Sequence, residues 1–139
     1  VYSVGLSPAT LGGAHAALDK LKDEPSRVER LHHNSVYFRD RANALGLETG
    51  PAIGRGVVPI LFADPMQTMM ASQALLDAGI YAPPIVQIGV PKDQPRIRFF
   101  ISANHTEAEM DRAIEIVSAV VTGSAPQASE PQTAAAAGV

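Results

Sequence analysis

The sequence predicts an α+β domain in which a small, mainly antiparallel sheet is covered by helices. Two observations carry that prediction. Stretches with apolar residues at three- and four-residue spacing, bounded by caps and glycines, alternate with a few short apolar runs that suit strands. Read along the chain, the order is helix, helix, strand, helix, a loop with one or two short strands, strand, helix, which holds too few βαβ units for a doubly wound sheet.

In "SPATLGGAHAALDKL", Ser7 is placed to cap a helix that Pro8 opens, with Leu11, Ala14, His15, Leu18 and Leu21 on one stripe. Gly12 and Gly13 within it suggest close backbone packing, and His15 on the apolar stripe suggests a packed, hydrogen-bonded histidine. After "KDEP", Ser26 and Glu29 have capping-box spacing, and Val28, Leu31, Ser35, Phe38, Ala42 and Leu45 recur at three and four until Gly46. "RGVVPILFA" predicts a strand on which Pro59, unable to donate to a ladder, requires an edge or a bulge. Asp64 caps, Pro65 opens and Gly79 closes a third helix, whose Met66, Met69 and Met70 are expected to fill the core. "IYAPPIVQIGVP" predicts a proline-broken loop. In "PRIRFFISANHT" the period of two sends Ile97, Phe99 and Ile101 to one face and Arg96, Arg98, Phe100 and Ser102 to the other. Phe100 on the arginine face suggests that this face is covered. Thr106 and Glu109 form a second capping box ahead of an amphipathic helix carrying Met110, Ala113, Ile114, Val117, Val120 and Val121.

Composition narrows the function classes. With 139 residues, 46% of them hydrophobic, the chain can bury a core as one globular domain. A formal net charge of −3 and 5% aromatic residues give no electrostatic footprint for nucleic acid. Without cysteine there is no disulfide, thiolate metal site or cysteine nucleophile. No apolar run reaches the roughly 18 residues of a membrane span, and the start "VYSVGLSPATLGG" lacks the basic region of a signal peptide, so a cytoplasmic location is expected. Valine at the first position suggests a piece of a longer protein. From Gly123 the segment "GSAPQASEPQTAAAAGV" has too little apolar bulk to offset its ordering entropy and predicts a disordered tail over 123–139.

The histidines offer no metal site. His32 and His33 are adjacent on a helix and point to different sides, and His105, at a helix start, is expected to order the strand-to-helix turn.

The runs "YSVGLSPA", "EPSRVERLHHNSVYFRDRANALGLETG", "VVPILF", "LLDAGIYA" and "VPKDQPRIRFFISANHTEAEMDRAI", in this order and spacing, resemble the C-terminal third of the α-oxoamine synthases. The resemblance covers nearly everything up to Val121, with "GLSP" standing where the family more often has "SLPP" or "SLAP". It implies a pyridoxal-phosphate enzyme of fold type I that condenses an amino acid with an acyl-CoA or acyl-carrier thioester and loses carbon dioxide, and that is a homodimer at full length. It also implies the domain plan: 1–22 a linking helix from a larger cofactor domain, 23–122 the C-terminal α+β domain, 123–139 the tail. By the family's pattern Arg98 binds the amino-acid carboxylate, for which a planar fork of donors is suited. From the strand pattern alone an outward arginine is a solvated or weakly paired surface group, and Arg96 is left in that structural role. Ser3, by the same resemblance, approaches the cofactor phosphate of a neighbouring subunit, whereas its position alone gives only a chain end.

Fold-type I chemistry needs a lysine for the Schiff base. Lys20, Lys22 and Lys92 do not stand in the family's glycine- and serine-flanked motif, so the chain by itself is expected to be inactive. The alternative is a non-catalytic α+β module that binds a small carboxylate or a protein partner.

Overall fold

Proline and glycine place the element boundaries close to where the pattern puts them. A computed structural model describes residues 5–86 and 94–124; Ser3, Lys92 and the tail beyond Ser124 lie outside the described residues. Helix α1 (Pro8–Asp23) starts with the Ser7 side chain accepting from the Thr10 amide at 3.2 Å. Helix α2 (Ser26–Ala44) ends in a Schellman turn: Gly46, at φ +76°, donates to the Asn43 carbonyl at 2.9 Å and Leu47 to that of Ala42 at 3.0 Å. Strand β1 (Val57–Leu61), helix α3 (Pro65–Asp77), strands β2 (Pro84–Ile85) and β3 (Arg96–Phe100) and helix α4 (Glu107–Thr122) follow.

The sheet has the order β1-β3-β2 with both pairings antiparallel, so the arginine-bearing strand is central. Pro59 lies opposite Arg98 on edge strand β1, one of the places a proline is tolerated. Helices α2, α3 and α4 pack together over one face of the sheet. Ile60, Ile97, Phe99, Leu75, Ile114 and Val117 meet there, and Phe38 of α2 packs its ring 4.9 Å from that of Phe99. The start of α4 forms as the sequence predicts, with Thr106 and Glu109 making the complete capping box, and Gly123, read from the sequence as the start of the tail, caps the far end in the left-handed conformation.

Four expectations fail on physical grounds. The Ser26 capping box does not form, because Pro25 already lies in the right-handed helical region (φ −59°, ψ −25°), which puts Ser26 inside the helix with no side-chain cap. The methionines Met66, Met69 and Met70 are 65%, 53% and 57% exposed, since Thr68, Ala71 and Leu75 set the buried face of α3 and leave the methionine side outward. Helix α1 buries none of its residues; its Leu11, Leu18 and Leu21 are exposed, and a methyl added at Gly12 or Gly13 would meet nothing within 4 Å. His15 accordingly stands in the open, paired with Asp19 at 3.1 Å.

Candidate functional site

Strand β3 carries two arginines on its outward face, and the fold treats them differently. Arg96 is half-buried and curls onto its own chain, its Nε donating to the Gln94 carbonyl at 3.1 Å and its Nη2 to the Gln94 Oε1 at 3.0 Å. Arg98 is exposed and, among the described residues, makes no side-chain hydrogen bond or ion pair. Toward the described residues its five donors are unengaged, and such a fork of donors is what a bidentate carboxylate contact needs.

Arg98 borders a cleft of about 570 Å³ between the strand end, the turn after α3 and the start of α4. Phe100, Tyr81, His105, Met110 and Arg112 also line it. Phe100 and Tyr81 are 68% and 82% exposed, so the expected cover over the arginine face is not supplied by the described residues. One wall is fastened by Arg112, whose Nη2 donates to the Ala78 carbonyl at 3.1 Å and so ties α4 to the end of α3.

The turn joining β3 to α4 behaves as the sequence predicts for His105. The Ser102 amide donates to His105 Nδ1 at 3.2 Å, and the His105 amide returns to the Ser102 carbonyl at 3.3 Å. An accepting Nδ1 assigns the proton of the neutral ring to Nε2.

Sequence reasoning missed the residues that hold this turn. Asn34 of α2, buried at 7% exposure, donates to both the Ser102 carbonyl, at 2.9 Å, and the His105 carbonyl, at 2.8 Å. Ser35 beside it is fully buried, accepts from the Gly56 amide at 2.9 Å and donates to the Leu31 carbonyl at 2.7 Å. The available signal was an adjacent polar pair on the buried side of an otherwise apolar helical stripe.

Charged groups both line and flank the cleft, and Glu109 lies in its lining with Arg98 and Arg112. Hydrogen bonds from the Thr106 backbone amide and hydroxyl hold the Glu109 carboxyl below its ordinary value. Farther along α4, Asp111 accepts from Tyr37 and from Arg41, each at 3.0 Å, joining α2 to α4. Burial, then the Asp111 hydrogen bond, pushes the Tyr37 phenol up. Lys20 and Lys22 are exposed on α1, paired with Glu24 at 2.7 Å and Asp19 at 3.6 Å, far from any role in the cleft. Among the described residues, no three histidine, aspartate or glutamate side chains gather as metal ligands.

The model of the family described as "Aminotransferase class I and II" matches residues 1–117. The chain belongs to this family. Its relatives are α-oxoamine synthases. It is 35% identical over 117 residues to 8-amino-7-oxononanoate synthase of Bacillus pumilus, an alignment covering 84% of this chain and 30% of that protein. Among solved structures it superposes on 8-amino-7-oxononanoate synthase from Francisella tularensis with a TM-score of 0.77 at 23% identity, covering 88% of this chain and 36% of the other. A serine palmitoyltransferase variant from S. paucimobilis, solved with bound PLP and myriocin, gives a TM-score of 0.77 at 24% identity, covering 88% and 31%. The α+β fold is thus that of pyridoxal-phosphate enzymes of fold type I, and the chain spans about a third of the relatives it matches.

Proposed function

We propose that this chain is the C-terminal, substrate-carboxylate-binding portion of a pyridoxal-phosphate acyltransferase that joins an amino acid to an acyl thioester with loss of carbon dioxide. The observation that carries this reading is the contrast on β3: Arg96 is tied to Gln94, while the guanidinium of Arg98 has no partner among the described residues and stands at the rim of a cleft. Membership in the family described as aminotransferase class I and II, with 8-amino-7-oxononanoate synthases among its relatives, supports this reaction class.

The described residues do not themselves cradle the cofactor. Lys20 and Lys22 are engaged by carboxylates on the exposed α1, so neither is free in the cleft to form a Schiff base. Bound elsewhere in the enzyme, pyridoxal phosphate would act as the electron sink for the bond changes at the amino-acid α-carbon. The contribution of this chain is binding and orientation. A bidentate contact from Arg98 fixes two carboxylate oxygens at once and thereby sets the direction of the bonds around the α-carbon, and a partly apolar cleft around it strengthens that contact by limiting water.

The domain plan belongs to this proposal. An apolar stripe on α1 that covers nothing within the described residues suits a helix linking residues 23–122 to a larger cofactor domain. The homodimer, the approach of Ser3 to a neighbouring cofactor phosphate and a cytoplasmic location come from the resemblance. No helix among the described residues is long and apolar enough to cross a membrane.

The test is kinetic. In the enzyme that carries this chain, Arg98→Ala raises the amino-acid KM roughly a hundredfold, the scale expected for losing a charge-assisted bidentate contact, and leaves cofactor content unchanged. Arg96→Ala has a much smaller effect. Wild-type amino-acid kinetics in the Arg98 variant would sink the assignment.

A further inference from the structure

We propose that Asn34 is a positioning residue for the carboxylate-binding cleft, acting by holding both ends of the turn that joins the arginine strand to α4. The inference rests on the reading of Arg98 given above. It concerns a residue on a different element, with no lining role in the cleft.

The geometry is a clamp made from one helical turn of α2. Asn34 uses both amide hydrogens, one on the Ser102 carbonyl at 2.9 Å and one on the His105 carbonyl at 2.8 Å, so the start and the finish of the turn are fixed to the same side chain. Ser35, next along the helix, holds the Gly56 amide at 2.9 Å. Gly56 in turn accepts from the Ile101 amide at 2.7 Å, extending the β1–β3 pairing one step past Phe100. The β1 end and the β3 end are therefore pinned to adjacent residues of α2. Backbone contact at this point is close, since a Cβ on Gly54 would lie 2.9 Å from Val36 Cγ2 and 3.1 Å from the Val36 backbone.

What the clamp holds is the cleft wall itself. Ile101 and His105 line the cleft together with Arg98, Phe99 and Phe100. A buried polar group on an apolar stripe contributes less to burial than a leucine would, but two short hydrogen bonds fix a single arrangement of the turn. If Asn34 served packing alone, its loss would lower stability and leave binding untouched. As a positioning residue it sets where His105 and the end of the arginine strand stand relative to each other, and displacements of about 1 Å in such walls weaken productive binding.

The test uses the complete enzyme with four variants: Arg98→Ala, Asn34→Ala, Asn34→Ser and Val117→Ala. Val117 is fully buried on α4 and does not line the cleft, so it reports a loss of packing alone. Asn34→Ala is expected to raise the amino-acid KM roughly tenfold while kcat stays within about twofold, and Val117→Ala to lower the thermal midpoint without moving KM. Asn34→Ser, which keeps a shorter donor, is read in the same way if the alanine variant does not accumulate. An elevated KM in Arg98→Ala beside a wild-type KM in the Asn34 variants would overturn the positioning role and leave the function standing. A wild-type KM in Arg98→Ala would overturn the functional reading, and this inference with it.

Discussion

Phe99 and Phe100 are neighbours on one strand with opposite fates, and truncating each in turn measures how β3 is oriented. Phe99 is 7% exposed and stacks at a tilt on Phe38, whereas Phe100 is 68% exposed. A buried phenylalanine removes about 150–250 Å² from water, which at about 25 cal/mol per Å² puts Phe99→Ala near 4 kcal/mol, inside the range of about 3–5 kcal/mol for such truncations. Only about a third of Phe100 is covered, so Phe100→Ala should cost about 1–1.5 kcal/mol by the same rule. The gap, about 3 kcal/mol, corresponds to a difference of roughly 1–3 M in urea midpoint at ordinary slopes. Urea unfolding of the 139-residue chain followed by circular dichroism is the assay. Coincident midpoints for the two variants, or a larger loss for Phe100→Ala, would refute the assignment of faces and with it the outward placement of Arg98.

Two further predictions concern the ends of elements. Glu109→Ala removes the acceptor for the Thr106 amide and hydroxyl and should lower stability at neutral pH by about 1 kcal/mol or less. Because the folded carboxyl titrates below its ordinary value of 4.5, this contribution is complete above that value and is lost as the pH falls through the lowered one, so thermal midpoints of variant and parent should converge on acidification. Gly54→Ala should cost about 2–4 kcal/mol, because a left-handed residue at φ +73° would also press its methyl on the Val36 backbone. Gly46→Ala, left-handed at φ +76° with open space around it, should cost only about 1–2 kcal/mol, and equal losses in chemical unfolding would contradict the close approach at Gly54.

Much of the architecture was legible because its signals are local. Ser7, Asp64 and Thr106 each cap with their own side chain, Gly46 and Gly79 take positive φ at helix ends, and the period of two on β3 separates Phe99 from Phe100 without reference to the rest of the fold. The failures come where a local pattern leaves the partner unspecified. An apolar stripe does not say what covers it, so α1 and the methionine side of α3 had the right spacing and no burial. Pro25 took the place expected for a Ser26 cap because a proline in the helical region extends the turn by one residue. At the site, the sequence marked Arg98 through resemblance and its donor chemistry. The clamp by Asn34 was not legible, since its acceptors are carbonyls about 70 residues away, and carbonyls carry no sequence signature.

The central claim, that these residues bind the carboxylate within a larger pyridoxal-phosphate enzyme, is tested most directly by the native polypeptide itself. Intact mass and visible absorption, measured on the protein captured from its source cells with an antibody to residues 23–122, give the answer together. The account predicts a polypeptide of which this chain is about 30%, as in its relatives, absorbing as a lysine-bound pyridoxal phosphate. A native product no longer than 139 residues and without that absorption would contradict it, and would make the chain a binding module that keeps the fold without the chemistry.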